Sequence, residues 1–402
     1  AFLRKIAAAG ITLPAFLAAC DQTPASRPGS GSRQPGPTVE GSTTGDGPAV
    51  LKVYEWRDYL SKGTLSSFER SFPAGAVRVE VESFVHMDEA VSRLQDPDAR
   101  FDVFFPTIDA LPGLIEARLL RPLDHDRLPN VRNLWPWFRD GGGPFYDPGQ
   151  RHSLPYTVYV SGVAWRADMV EADDAPDAAL DPWSVFWNPD YRGRVGMYDG
   201  FLEAMSLALL RDGVLDVRAA SDAQLDDAAG ALADAVSITG VRFTNDGVAE
   251  GLPDGEFAAH QAWSGDVLSA PGYAAAEGDF DLGKKLRFWS PPGSEKIVGC
   301  DLMAICAHGR HPDLAHAFLN HLLDTRVGVD NFCWNGYQPP LDGVTPQAFA
   351  APDSPWHMEV PPTLIGTLLD NDTFADAQML VGFGPSERAR WLDYWKRVAP
   401  GT

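Results

Sequence analysis

The chain has 402 residues, enough for two ordinary domains and a tail. Apolar residues make up 45 % and charged residues 22 %, the balance of a globular chain rather than a disordered one. Lys and Arg number 33 against 55 Asp and Glu, a formal charge of −22. Such a surface repels phosphate backbones and attracts cations, which argues against nucleic acid as a partner.

Residues 1–20 read AFLRKIAAAGITLPAFLAAC. Arg4 and Lys5 precede an apolar stretch over 6–19 that is too short to span a bilayer comfortably, since a spanning helix needs about 20 apolar residues. The stretch ends in Leu17-Ala18-Ala19-Cys20, which resembles the bacterial lipobox: an aliphatic residue, two small residues, then the cysteine that takes a diacylglycerol. Residues 1–19 are therefore read as a signal peptide and Cys20 as a lipidation site, placing an exported protein on the outer face of the cytoplasmic membrane. AFLRK is also similar to the tail of a twin-arginine export motif. Residues 20–49 form the expected tether behind the lipid. Pro, Gly, Ser and Thr dominate there, and so few large apolar residues cannot build a core. Three further cysteines, Cys300, Cys306 and Cys333, show no metal-type spacing, and no zinc or other metal site is expected. Cys300 and Cys306 on one extended strand would stand roughly 20 Å apart, too far to pair with each other.

From residue 50 the pattern alternates between strand and helix. LKVYEW (51–56) reads as a strand, 64–72 as a helix stopped by Pro73, VRVEVESF (77–84) as a strand and 87–94 as a short helix. FDVFFP (101–106) reads as a strand buried on both faces. This order argues for a mainly parallel sheet covered by helices. A second run begins near Tyr156, with strands expected at 159–165, within 181–199, and at 241–245, 257–263, 285–291 and 301–307. Ser221 and Gln224 form a capping-box pattern that opens a helix to 236. A further helix spans 311–324.

Six segments in order carry a resemblance. VYEWRDYLSKGTLSSFER (53–70), FDVFFPTIDALPGLIEARLLRPLD (101–124), DPWSVFWNPDYRGRVGMYD (181–199), GEFAAHQAWSGD (255–266), KIVGCDLMAICAHGRHPDLAHAFLNHLL (296–323) and NGYQPPL (335–341) together resemble the bacterial spermidine/putrescine solute-binding proteins of ATP-driven (ABC) importers. The resemblance covers roughly 50–400. It implies an α/β fold, the type II periplasmic-binding-protein clamshell, in which two α/β lobes joined by a hinge close on a ligand. Residues 50–157 with 300–336 would form lobe 1, and 158–299 with 337–402 lobe 2. The implied partners are ABC permease subunits, the membrane through the lipid on Cys20, and a small cationic, polyamine-like ligand. The protein would act as a monomer and need no cofactor.

A polyamine is an apolar rod bearing ammonium groups, so its site needs carboxylates and aromatic walls. On the family's pattern the binding positions are Trp56, Asp58, Tyr59, Thr107, Glu203, Trp263, Asp301 and Tyr337, with Asp301 gripping a terminal amine. Trp56 could instead be core, and Glu203 could simply favour a helix first turn. The chain departs from the pattern in three places. Asp109 stands where the family offers an aromatic, as replacement charge or helix cap. Gly200 takes the place of a second carboxylate, with Asp199 beside it. Gly299 replaces a Trp two residues before Asp301. The implied ligand is therefore cationic rather than specifically spermidine. Other ligands on this fold (an amino-acid-derived amine, an opine, thiamine or an aminophosphonate) remain open, as does a ligand sensor.

No catalytic motif is present: GxSxG, HExxH, a P-loop and GxGxxG are all missing, so no catalytic residue is expected and the chain does not read as an enzyme. A ferric-ion carrier on the same fold would use adjacent tyrosines, and no Tyr-Tyr pair occurs. His308, His311, His316 and His321 read as a solvated helix face.

Overall fold

The computed structural model describes residues 47–96, 98–140, 146–177, 181–277, 281–357, 360–380 and 383–398. The expected signal peptide, Cys20 and the tether up to residue 46 lie outside the described residues. In chain order the principal elements are β1 (Ala49–Trp56), α1 (Lys62–Glu69), β2 (Val77–Phe84), α2 (Met87–Leu94), β3 (Val103–Phe104), α3 (Leu111–Glu116), β4 (Ser153–Arg166) and β5 (Val195–Met197). They continue with α4 (Phe201–Arg211), α5 (Asp222–Thr239), β6 (Arg242–Phe243), β7 (Ala259–Trp263), α6 (Ser264–Glu277), β8 (Leu286–Trp289) and β9 (Ile297–Ile305). The last are α7 (Pro312–Leu322), α8 (Thr325–Asn335), β10 (Gln378–Met379) and α9 (Pro385–Trp395). Among the described residues no helix is long and apolar enough to cross a membrane.

The described residues form two compact units, one of 47–158 with 300–348 and one of 159–299 with 349–398. The chain passes between them inside β4, inside β9 and after residue 348. Residues 337–348, expected with the second lobe, belong to the first unit. Val158 N donates to Gln338 O at 2.8 Å and Trp135 N to Pro340 O at 2.9 Å, which bind this stretch there.

In the first unit β1 runs between β2 and β3, parallel to both, with Val53 facing Val81 on one side and Val103 on the other. The sequence explains the order. Leu51, Val53 and Glu55 alternate onto one fully buried face, and each βα crossover returns a parallel strand. β3 is shorter than the expected 101–106, yet Asp102 N and Phe105 N still donate to Lys52 O and Tyr54 O, so the run stays tied to β1. β9 then pairs antiparallel with β3. Ser61 caps α1, accepting from Thr64 N.

In the second unit β5 lies between β6 and β7, parallel to both, while β7 and β8 each pair antiparallel with β4. β10 extends the amino-terminal end of β9 in parallel. The Ser221–Gln224 capping box opens α5, which runs on to Thr239 and stops at Gly240 in the left-handed conformation. Phe186, Leu207, Leu232 and Trp391 form the centre of this unit's core.

Of the late histidines His308 is exposed, but His316 and His321 do not lie on a solvated face. His316 is buried, its Nδ1 on Pro312 O and its Nε2 accepting from Asp124 N, and half-buried His321 bonds Ser67 Oγ at 2.8 Å. Each side chain joins α7 to a neighbouring segment, which explains a cluster with no metal geometry. Among the described residues no group of His, Cys, Asp and Glu is arranged to hold a metal ion. Cys300 and Cys306 are buried free thiols.

Candidate functional site

In the first unit the carboxyl ends of β1 and β3 meet β9 around one phenol. Tyr59 is buried, and its hydroxyl donates to Asp301 Oδ2 at 2.5 Å while lying 2.5 Å from Thr157 Oγ1. Because the phenol proton goes to Asp301, Thr157 donates to Tyr59, giving a directed chain that ends on the carboxylate. Burial, then the neighbouring Asp301 charge, pushes the Tyr59 phenol well above its ordinary range, so it remains a donor. Thr107 is joined to Asp301 by an isolated antiparallel bridge, and its Oγ1 is buried without a partner. Rings surround the group: Tyr59 meets Tyr156, Phe105 and Tyr337 edge-on, with centroids 5.1, 6.0 and 5.8 Å apart.

The loop carrying Tyr59 is pinned by α8. Asn331 Nδ2 and Asn335 Nδ2 both donate to Tyr59 O, at 2.9 and 3.0 Å, and Asn331 Oδ1 accepts from Ser61 N and Thr64 Oγ1. One helical turn of side chains thus satisfies the backbone of a loop that has no ladder of its own. Trp334 of the same helix donates from its indole to Asp58 O at 2.7 Å. Asp58 has φ +59°, a left-handed conformation that Asp tolerates better than most residues.

Trp56 is half-buried against Phe84, ring centroids 4.6 Å apart, and its indole nitrogen is buried without a partner. The Asp58 and Asp109 side chains are exposed. Nor does Asp109 cap a helix: the cap of α3 is Ala110, with no side-chain bond.

In the second unit Glu203 sits in the first turn of α4. Its Oε1 accepts from Trp263 Nε1 at 2.9 Å and its Oε2 from Ser161 Oγ at 3.0 Å, while Gln261 Nε2 donates to its backbone carbonyl. Trp263 stacks on Tyr198 with centroids 4.0 Å apart. Tyr198 in turn accepts from Trp263 N and donates to Asp266. Burial and the Asp266 carboxylate raise the Tyr198 phenol well above its usual range, so this hydroxyl too keeps its proton. Asp199 and Gly200 stand at the entry to α4, and the Asp199 side chain is exposed.

Six of the nine expected residues thus fall into two sets, Tyr59–Thr107–Asp301–Tyr337 in one unit and Glu203–Trp263 in the other, while Trp56, Asp58 and Asp109 stand apart from both. Sequence reasoning missed the residues that hold them: Thr157, Asn331, Trp334 and Asn335, then Ser161, Tyr198 and Gln261. It also missed Glu55. This carboxyl is buried on β1, with Leu60 N near Oε1 and Oε2 without a partner. Burial pushes it up to about 8.

Two α/β units, each setting a carboxylate among aromatic rings at strand and helix ends, define a type II periplasmic-binding-protein fold. The crystal structure of a lipoprotein of Treponema pallidum has this fold and superposes with a TM-score of 0.69 at 21 % identity, covering 87 % of this chain and 99 % of that one. Residues 65–359 match the family of bacterial extracellular solute-binding proteins; the chain belongs to it and is a solute-binding protein, not an enzyme. A putrescine/agmatine-binding protein of Pseudomonas aeruginosa is 31 % identical over 166 residues, 40 % of this chain and 44 % of that protein, so the match spans less than half of that relative. A putrescine/cadaverine-binding protein of the same organism is 28 % identical over 289 residues, 69 % of this chain and 75 % of that protein.

Proposed function

We propose that this chain is the solute-binding lipoprotein of an ABC importer and binds a small cationic amine of the putrescine/spermidine type, delivering it to the permease subunits. The observation that carries the reading is that each unit sets one carboxylate among aromatic side chains: Asp301 with Tyr59 and Tyr337, and Glu203 with Trp263 and Tyr198. A carboxylate takes the ammonium group by charge-assisted hydrogen bonds, and ring faces take the cation and its methylenes. The amine-binding names of the two Pseudomonas relatives support the same ligand class. The Leu17-Ala18-Ala19-Cys20 pattern supports a lipid on Cys20 and residence on the outer face of the membrane.

A thermal-shift screen with putrescine, spermidine, spermine, agmatine and γ-aminobutyrate tests the ligand. An amine at 100 times its dissociation constant adds ~2.7 kcal/mol to the folded state, a clear rise in melting temperature. No shift with any of them overturns the amine reading. For the anchor, Cys20→Ser should move the expressed protein from the membrane fraction to the soluble one, and an unchanged membrane fraction removes the lipid from the account.

A further inference from the structure

β4 is a fourteen-residue strand buried at every position except one, and the exception is Tyr159. A run buried on both faces has no reason to expose a phenol unless that point borders accessible space. Tyr159 lies beside the Glu203 cluster: its ring centroid is 5.5 Å from that of Trp263, tilted by 50°. What seats the ring there is a residue without a side chain. A Cβ built on Gly299 of β9 would fall far inside van der Waals contact of Tyr159 Cζ, Oη and Cε2. The phenol therefore fills the volume that a side chain at 299 would enter, and any such side chain would have to displace it. The volume beside Gly299 is thus taken by a ring rooted on the adjacent strand.

We propose that Tyr159 is a ligand-contacting aromatic wall of the Glu203–Trp263 half-site, and that the bare Cα of Gly299 sets its position and so the selectivity among alkyl amines. This rests on the amine reading given above. A ring beside a carboxylate-bound ammonium takes the cation and the first methylenes, and it does so through its face rather than its hydroxyl. Tyr159 and Gly299 should then be exchangeable as a pair, because a ring rooted on either strand can occupy the shared volume.

The test is isothermal calorimetry of putrescine and spermidine on the full chain. Tyr159→Phe should bind like the wild type, and Tyr159→Leu should lose roughly ten-fold, the scale of one cation–π contact. Gly299→Ala should lose a similar factor, because its Cβ pushes the ring aside. The double variant Tyr159→Ala/Gly299→Phe should recover affinity relative to Tyr159→Ala, with a changed putrescine-to-spermidine ratio. Circular dichroism and the melting temperature identify folded variants, and Tyr159→Leu keeps apolar volume should Tyr159→Ala fail to fold. Wild-type affinity in Tyr159→Leu overturns the proposal, as does a double variant no better than Tyr159→Ala. If the wild type binds neither amine, the amine reading itself falls. If Trp263→Ala weakens binding while Tyr159→Leu does not, only the role of Tyr159 falls.

Discussion

The Tyr59 hydroxyl donates to Asp301 Oδ2 at 2.5 Å across 242 residues of sequence, joining the loop after β1 to the middle of β9. Both groups are buried, and Thr157 hands its proton to the same phenol oxygen. The bond does two things: it supplies a donor to a carboxylate that folding has largely removed from water, and it fixes the rotamer of the side chain proposed to meet an ammonium group.

Asp301→Asn should therefore weaken amine binding by roughly 2–5 kcal/mol, the range for removing one member of a buried charge pair. Tyr59→Phe should act mainly on the protein itself, lowering unfolding free energy by about 1.5–3 kcal/mol because a donor to a charged group is lost. Calorimetry with putrescine reads the first and urea unfolding the second. An Asp301→Asn protein that keeps wild-type affinity removes Asp301 from the site.

Asn331 serves four partners at once: Tyr59 O, Tyr156 Oη, Ser61 N and Thr64 Oγ1. Asn331→Ala leaves buried groups unsatisfied on both sides of the interface between α8 and the loop, and should destabilise by about 2–4 kcal/mol, one or two unmet groups at 1–3 kcal/mol each. Asn331→Asp keeps the acceptor for Ser61 N but turns a second oxygen on Tyr59 O, so it should not rescue. Equal urea midpoints for the wild type and both variants would show that the loop holds itself.

The positions proposed for the ligand could be picked out where they stand in short blocks with a strand end or helix start inside them: Trp56 closing LKVYEW with Tyr59 just beyond, Trp263 closing FAAHQAW, Asp301 opening DLMAICA. Their supports could not. Asn331, Trp334 and Asn335 lie on one face of a helix whose sequence alone gives no reason to aim that face at a loop nearly 280 residues earlier. Gly299 read as a missing aromatic because a linear pattern cannot show a ring arriving from the neighbouring strand. Glu55 did leave a signal, since the strand alternation puts it on the same face as Leu51 and Val53, both fully buried. The late histidines misled because spacing reports metal geometry and says little about burial.

Trp263 combines two roles, stacking with Tyr198 and donating to Glu203 Oε1 at 2.9 Å. Trp263→Phe retains a ring and removes the donor, so Glu203 loses one of the bonds that orient it. Amine affinity should drop by about 1 kcal/mol, and by about 1–2 kcal/mol for Trp263→Ala, which removes the ring as well. Calorimetry that ranks the two variants in the opposite order contradicts this division of labour.

Glu55 and His260 give the folded state opposite pH dependences. Desolvation raises the Glu55 carboxyl from 4.5 to about 8, with the nearby Asp58 charge adding to the rise. It depresses the His260 imidazole from 6.5 to about 4. His260 is fully buried, with Nδ1 on Gln261 O and Nε2 without a partner, and both Gly196 and Gly247 lie so close that neither could carry a Cβ. A raised carboxyl is protonated in the folded chain and ionised in the unfolded one, so its contribution is intact below 4.5 and is lost as pH climbs towards 8. A depressed imidazole works in reverse: its contribution is intact above 6.5 and is lost as pH falls towards 4. The two slopes oppose each other between about 4.5 and 6.5, leaving that of Glu55 exposed between 6.5 and 8. Over this last interval the wild type should lose about 2 kcal/mol relative to Glu55→Gln, at about 1.36 kcal/mol per pH unit for one proton. The difference in urea unfolding free energy between the two proteins, measured at pH 6.5 and pH 8, isolates this group from every other titration. Parallel curves would mean that Glu55 is already ionised in the folded chain.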